Sequence, residues 1–229
     1  MKKHDVIFII CCLAFISLFI IVEPLKVWFL NYSKLTDWHA MLMAFLKFAI
    51  LATLCESIGL RIQKGVYNYK GFGILPRAVV WGVLGMAISM AMTVFAAGTP
   101  AFLANMGVDI TSQAFGTRLL KAFCISISIN LIFAPIFMTL HKVTDTHIMS
   151  NGGTLSGLFT PIRFKEIFTN LNWGVLYGFV FKKTIPLFWI PAHTITFMLP
   201  PQWRVLFAAF LGVILGVLLS VGAIMGQKK

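Results

Sequence analysis

Residues 204–223 read RVLFAAFLGVILGVLLSVGA, and no charged residue follows Arg204 until Lys228. About 20 apolar residues, at about 1.5 Å of helix rise each, match the roughly 30 Å hydrocarbon core of a bilayer. The same stretch carries Ala208, Gly212, Gly216 and Ser220, small residues spaced so that one face of the helix admits a close neighbour. The stretch predicts a membrane span with a packing face.

Working outward, four further apolar runs have comparable length. They cover about 6–22 (VIFIICCLAFISLFIIV), 39–60, 78–97 and 119–140. The first follows Lys2 and Lys3 as the leader of an exported protein would. The residues after it, Glu23-Pro24-Leu25-Lys26, lack a small-x-small cleavage site, so an uncleaved anchor is expected. Residues 164–199 are harder to read. Phe164, Ile167, Phe168, Leu171, Val175 and Phe179 recur as the stripe of an amphipathic helix, expected to lie in the interface. Residues 184–199 then cross as a short span, kinked or broken by Pro186 and Pro191. The expected fold class is all-α, a polytopic transmembrane bundle of five or six spans. It forms one integral membrane domain over 1–229, of which 1–38 are an extra N-terminal helix and loop and 39–223 the main bundle.

Composition agrees. Of 229 residues, 59% are hydrophobic and 11% charged, with mean hydropathy +0.90; soluble domains carry about 25% charged residues. The net charge of +12 sits in short clusters between apolar runs, so it records orientation and gives no nucleic-acid face. With six crossings and the N-terminus inside, thirteen of the 19 Lys and Arg fall on the inner side. Both termini are therefore expected to be cytoplasmic. Cys11, Cys12, Cys55 and Cys124 all lie in apolar stretches and read as small buried residues.

Small-residue stripes mark the inward faces: Ala49, Ala52 or Thr53, Glu56 and Gly59 in the second span; Gly85, Ser89 and Thr93 in the third; Ser126, Asn130 and Ala134 in the fourth. Glu56 shares its face with small residues, and an ionised group at depth is costly unless paired or wet. One reading is a polar site or water-filled path, with Ser89, Thr93 and Asn130 as neighbours. The other is an ion pair near the inner end, with Arg61 or another inside base. Lys47 lies on the opposite face, about 13 Å from Glu56 along the axis, among lipid-like neighbours, where it either pairs with another helix or subunit or snorkels outward. His193, in the broken segment with Thr194 and Thr196, is a further pore or polar-site candidate, against the plainer expectation of interior hydrogen bonding. His141, Asp145 and His147 cluster after a span, but nothing supplies a further ligand, so no metal and no cofactor are expected. The motifs G-x-x-x-x-G-K-[ST], G-x-S-x-G and H-E-x-x-H are missing from the sequence, and no enzyme is expected.

Two stretches resemble the Mpv-type family, the twenty-two-kilodalton peroxisomal membrane proteins. NLIFAPIF at 130–137 is similar to that family's polar-residue-L-V-F-A-P-I element, with Asn130 for its Gln, Ile129 for its Asp, and Pro135 in register. FWIPAHTITFMLPPQWRVLF at 188–207 resembles its closing signature: Trp189, Pro191 and Phe197 fit the start with one residue deleted, and Pro200, Gln202, Trp203 and Arg204 fit the end. Upstream, Glu56 with the basic 61–77 loop looks like the family's Gly-Asp element, Cys55 standing for the Gly. The likeness covers about 45–222; residues 1–38 have no counterpart in it. It implies a small pore-forming or solute-conducting protein.

Two functions follow as expectations. The first is a channel or transporter for small solutes or ions, using Glu56 and the Pro-broken span. The second is a structural or assembly protein without conduction. The expected partners are the lipid bilayer, a small solute or ion, and further copies of the chain; the expected location is a bacterial cytoplasmic membrane or an organelle membrane.

Overall fold

The computed structural model describes residues 37–227, and every element in that range is helical. The anchor expected at 6–22 lies outside the described residues, as do the side chains of Gln202 and Ser220. The chain divides into two compact units, Met1–Met43 and Ala44–Lys229; of the first, only the start of a helix is described.

That helix, α1, runs Asp37–Lys64, with Arg61 and Lys64 in its last turn where cations suit the helix C-terminus. Then come α2 (Ile74–Asn105), α3 (Phe115–Ser128), a π-helical turn π1 (Ile129–Phe133) and α4 (Ala134–Ser150). The short α5 (Leu155–Leu158) and α6 (Phe164–Thr169) lead through α7 (Trp173–Val175) into a π-helical stretch π2 (Leu176–Trp189), then α8 (Ile190–Met198) and α9 (Pro201–Gln227).

Three segments are long and apolar enough to cross a membrane: His39–Lys64, Ile74–Asn105 and the continuous run Phe115–Ser150, with mean hydropathies of 1.8, 2.0 and 2.1. Trp203–Val217 is a shorter apolar helix. The second and third segments exceed the runs read from sequence. At 32 and 36 residues they extend about 48 and 54 Å, longer than a hydrocarbon core of about 30 Å.

Two expectations change. The stripe from Phe164 to Phe179 is not one helix. Asn170 closes α6, its Nδ2 donating to Glu166 O at 2.9 Å, and Asn172 caps the next turn, its Oδ1 accepting from Val175 N at 3.0 Å. Side-chain amides compete with the helix ladder in this way. Nor is the chain broken at Pro186: it lies within π2, and Pro191 occupies the first turn of α8. The wider i→i+5 pattern carries the helix past the proline that would interrupt an α-helix. The real stop comes at Leu199, which is extended (φ −76°, ψ 154°) before Pro200.

Close packing holds α1 to α2. A Cβ on Gly82 would overlap the ring of Phe45, and one on Gly85 would overlap Phe48. The largest core joins Ala44, Phe48 and Ala52 of α1, Ala91 and Met92 of α2, Ala122 and Ile125 of α3, Phe197 of α8 and Ala208 of α9. Small residues let backbones approach, which is what binds helices in lipid. On α9, Gly216 abuts Cys55 Sγ, and that thiol donates to Gly212 O at 3.2 Å, so the small face read from sequence meets α1. Cys55 is free and buried, and Cys124 is free. Lys47 does not face outward: it is buried, 4% exposed, because its stem lies on the packed side of α1.

Candidate functional site

The loop 65–73 brings α2 back beside α1 and sets the site. Gly73 holds φ +76° and Gly153 φ +67°; a Cβ on Gly73 would lie 2.9 Å from Gly153 Cα. Only glycine takes these left-handed angles cheaply and lets two backbones meet. This contact fixes the start of α2 against the end of α4.

Four side chains then converge. Arg77 and Trp81 are one turn apart on α2, and His141 and Asp145 one turn apart on α4, so each pair shares a helix face. Arg77 Nη1 donates to Glu56 Oε2, and Arg77 Nη2 forms an ion pair with Asp145 Oδ1, a charge contact off the ideal hydrogen-bond line. Arg77 Nε donates to Phe72 O at 2.7 Å, and the guanidinium lies 4.4 Å over the Phe72 ring. Its planar fork is therefore used on three sides at once, which an ammonium could not match. The other oxygen of Glu56, Oε1, accepts from Trp81 Nε1 at 2.9 Å and meets His141 Nε2 at 3.2 Å. Lys142 Nζ adds an ion pair to Asp145 Oδ2 at 3.0 Å.

The network is well shielded: the side chains of Arg77, Asp145 and Glu56 are 6%, 12% and 18% exposed. Charges taken out of water need such pairing. Two carboxylates, one guanidinium and one ammonium balance. The arrangement joins α1, α2 and α4 at one end of the bundle. It holds those ends together.

Glu56 is ion-paired, with Arg77 as its base. Arg61 is engaged elsewhere, donating to Gly65 O and lying 5.5 Å from the Tyr67 ring centroid. None of the residues expected beside Glu56 is among its described hydrogen-bond partners. Ser89 is buried and Thr93 exposed, and Thr93 Oγ1 donates to Ser89 O at 3.0 Å within α2. The trio His141, Asp145 and His147 is divided. His147 Nδ1 meets Asn151 Nδ2 at 3.2 Å, and its Nε2 meets Leu158 O at 3.3 Å. Among the described residues no group of three or more His, Cys, Asp or Glu could hold a metal ion.

Asn130 belongs to a second polar cluster. Its Nδ2 donates to Ser126 O at 2.8 Å and meets His193 Nδ1 at 3.0 Å. A carbonyl only accepts, so the amide nitrogen must face Ser126 O, which makes His193 Nδ1 an acceptor and leaves its proton on Nε2. Ser126 Oγ donates to Ile190 O at 2.7 Å, tying α3 to α8. Trp189 packs on His193 with ring centroids 5.1 Å apart.

The remaining motif residues have structural places. Pro135 lies in the first turn of α4, and its carbonyl accepts from Thr139 Oγ1 at 2.8 Å. Arg204 donates from Nε to Leu199 O at 3.1 Å and from Nη2 to Phe197 O at 3.3 Å, capping the carbonyls that end α8, and lies 5.5 Å over the Phe197 ring. Trp203 is exposed.

Sequence reasoning did not name Arg77, Trp81, His141 and Asp145 as partners of Glu56. Their signal was the paired i, i+4 spacing at the ends of two spans, each beside a glycine turn. Comparison with protein-family models, curated proteins and solved structures finds no match to this chain.

Proposed function

We propose that this chain is a multi-pass membrane protein of five or six spans that passes small solutes or ions through its helix bundle. Its inner mouth is closed by the network of Glu56, Arg77, His141 and Asp145. The observation that carries the reading is this shielded ion-pair set joining the same-side ends of three long helices. Buried charge is a poor way to gain stability alone, and it suits a contact that must be able to open. The resemblance of residues 130–137 and 188–207 to a family of small pore-forming proteins supports it. So does the excess of Lys and Arg on one side, which favours cytoplasmic termini and a bacterial cytoplasmic or an organelle membrane.

A second reading is a non-catalytic structural or assembly protein, in which the network is a permanent clasp. The tight seating of Phe45 on Gly82 and of Phe48 on Gly85 favours it.

Flux of ions and size-graded solutes from liposomes holding the purified protein separates the two. Conduction with a gate predicts size-limited leakage that rises several-fold in Arg77→Gln and Glu56→Gln and stays at the wild-type level in Arg204→Ala. Vesicles that stay tight with every folded variant would leave the structural reading standing.

A further inference from the structure

We infer that the turn and short helix from Phe159 to Phe168 form a lipid-binding surface, seated at the headgroups on the side of the bundle that carries Asp145 and selective for anionic lipid. The inference rests on the chain spanning a membrane and does not depend on conduction.

Depth comes first. Ile167 of α6 packs into one apolar cluster with Val143 of α4, together with Leu171 and Leu176. The apolar run read in α3 through α4 ends near 140, so Val143 stands about 4–5 Å beyond the hydrocarbon edge by helix rise. That anchors α6 beside the headgroups, at the end of the bundle that carries Asp145.

The outward chemistry comes second. With Ile167 turned in, α6 turns its aromatics out. Phe159 is 78% exposed, Phe164 50% and Ile162 45%. Phe164 and Phe168 stack with centroids 5.5 Å apart, and Phe168 meets Trp173 edge-on at 4.8 Å. Such a patch in water would invite association, whereas at the boundary of headgroup and acyl chain it is at home. Arg163 and Lys165 alternate with these aromatics and are exposed. Glu166 takes one nitrogen of Arg163 at 3.3 Å, and Lys165 has no ion pair among the described residues. Cations between apolar anchors match a phosphate-bearing acidic headgroup, and they argue for lipid over a second copy of the same basic surface.

The test uses full-length protein with its native cysteines replaced by serine and one bimane label, in nanodiscs of zwitterionic lipid or of lipid with one third phosphatidylglycerol. A label at Met90, exposed in the middle of α2, reports whether the chain spans the bilayer, through quenching by lipids brominated deep in the acyl chain. If that control fails, the membrane reading itself fails. With the control positive, a label at Phe159 should be quenched by lipids brominated near the headgroup. The quenching should be at least two-fold stronger in the anionic discs and fall to the zwitterionic level in Arg163→Gln/Lys165→Gln. Quenching of the Phe159 label by aqueous iodide alone overturns the proposal. Protection from both media overturns it too, because a protein would then cover the patch.

Discussion

Trp81 and His141 pack with ring centroids 4.3 Å apart, and both turn a ring nitrogen to one oxygen of Glu56. One oxygen of the carboxylate thus binds α2 and α4, while the other binds Arg77. Glu56 is the point where three helix ends meet, and its removal should loosen all three.

Arg77 should be the most costly of these residues to remove. Arg77→Ala leaves two shielded carboxylates facing each other; loss of one member of a buried pair costs about 3–5 kcal/mol, and the residual exposure of Glu56 and Asp145 points to the lower end of that range. Arg77→Lys should recover only part, since an ammonium cannot hold Glu56, Asp145 and Phe72 O together. Thermal unfolding in detergent should rank wild type above Arg77→Lys above Arg77→Ala. Equal melting of wild type and Arg77→Lys would mean that a point charge suffices.

Helix packing makes a contrast within α2. Gly85→Ala must displace Phe48, and overpacking of this kind costs about 1–3 kcal/mol. Gly98 has nothing within 4 Å of its would-be Cβ, so Gly98→Ala should be neutral or add about 0.5–1 kcal/mol through helix propensity. The pair Gly82→Ala/Phe45→Ala should lose less than the two single variants summed, because the Cβ on Gly82 would meet only ring atoms of Phe45, which the second substitution removes. Strict additivity in the melting shifts would show that the two sites do not touch.

Much of this fold was legible in the sequence because it is written in residue size and polarity. Apolar length marked α1, α2 and the run through π1, and the small residues at 85, 208 and 216 marked faces that do meet neighbours. Ion-pair partners were less legible. Glu56 stood out by burial in an apolar run, but its choice of Arg77 over Arg61 depends on how the turn at 65–73 returns the chain, a tertiary fact set by Gly73 against Gly153. The helix break at 170–172 and the unbroken passage through Pro186 were missed for a related reason. Hydrophobic period ignores side-chain amides that cap, and a proline rule drawn from α-helices does not cover a π-helical stretch.

The cluster of Asn130 and His193 gives a smaller effect with a clear signature. Hydrogen bonds between helices in membranes measure about 0.6 kcal/mol on average and up to about 1.7. Asn130→Ala and His193→Ala should each destabilise, and a double-mutant cycle should return a coupling within that range. Asn130→Asp should cost more than Asn130→Ala, since a carboxylate would face the Ser126 carbonyl that the amide now donates to. A coupling of zero would place the two side chains apart.

The loop between α2 and α3 supplies a pH-dependent observable that does not involve the bundle. Asp109 is exposed, and its carboxyl is held below the ordinary range first by the backbone N–H of Thr111 and then by its hydroxyl, at 2.9 and 2.7 Å. Those bonds favour the ionised form. A group with a depressed folded value contributes order that is present above its unfolded value and lost as pH falls through the folded one. The turn at 109–111 should therefore persist through neutral pH and loosen only at acid pH below the usual aspartate range. Carboxyl-carbon NMR of labelled protein should show Asp109 titrating below a model aspartate, and Thr111→Val should move it upward by removing the hydroxyl while the backbone bond remains. An unshifted Asp109 in the wild-type protein would mean that the loop does not hold this turn in solution.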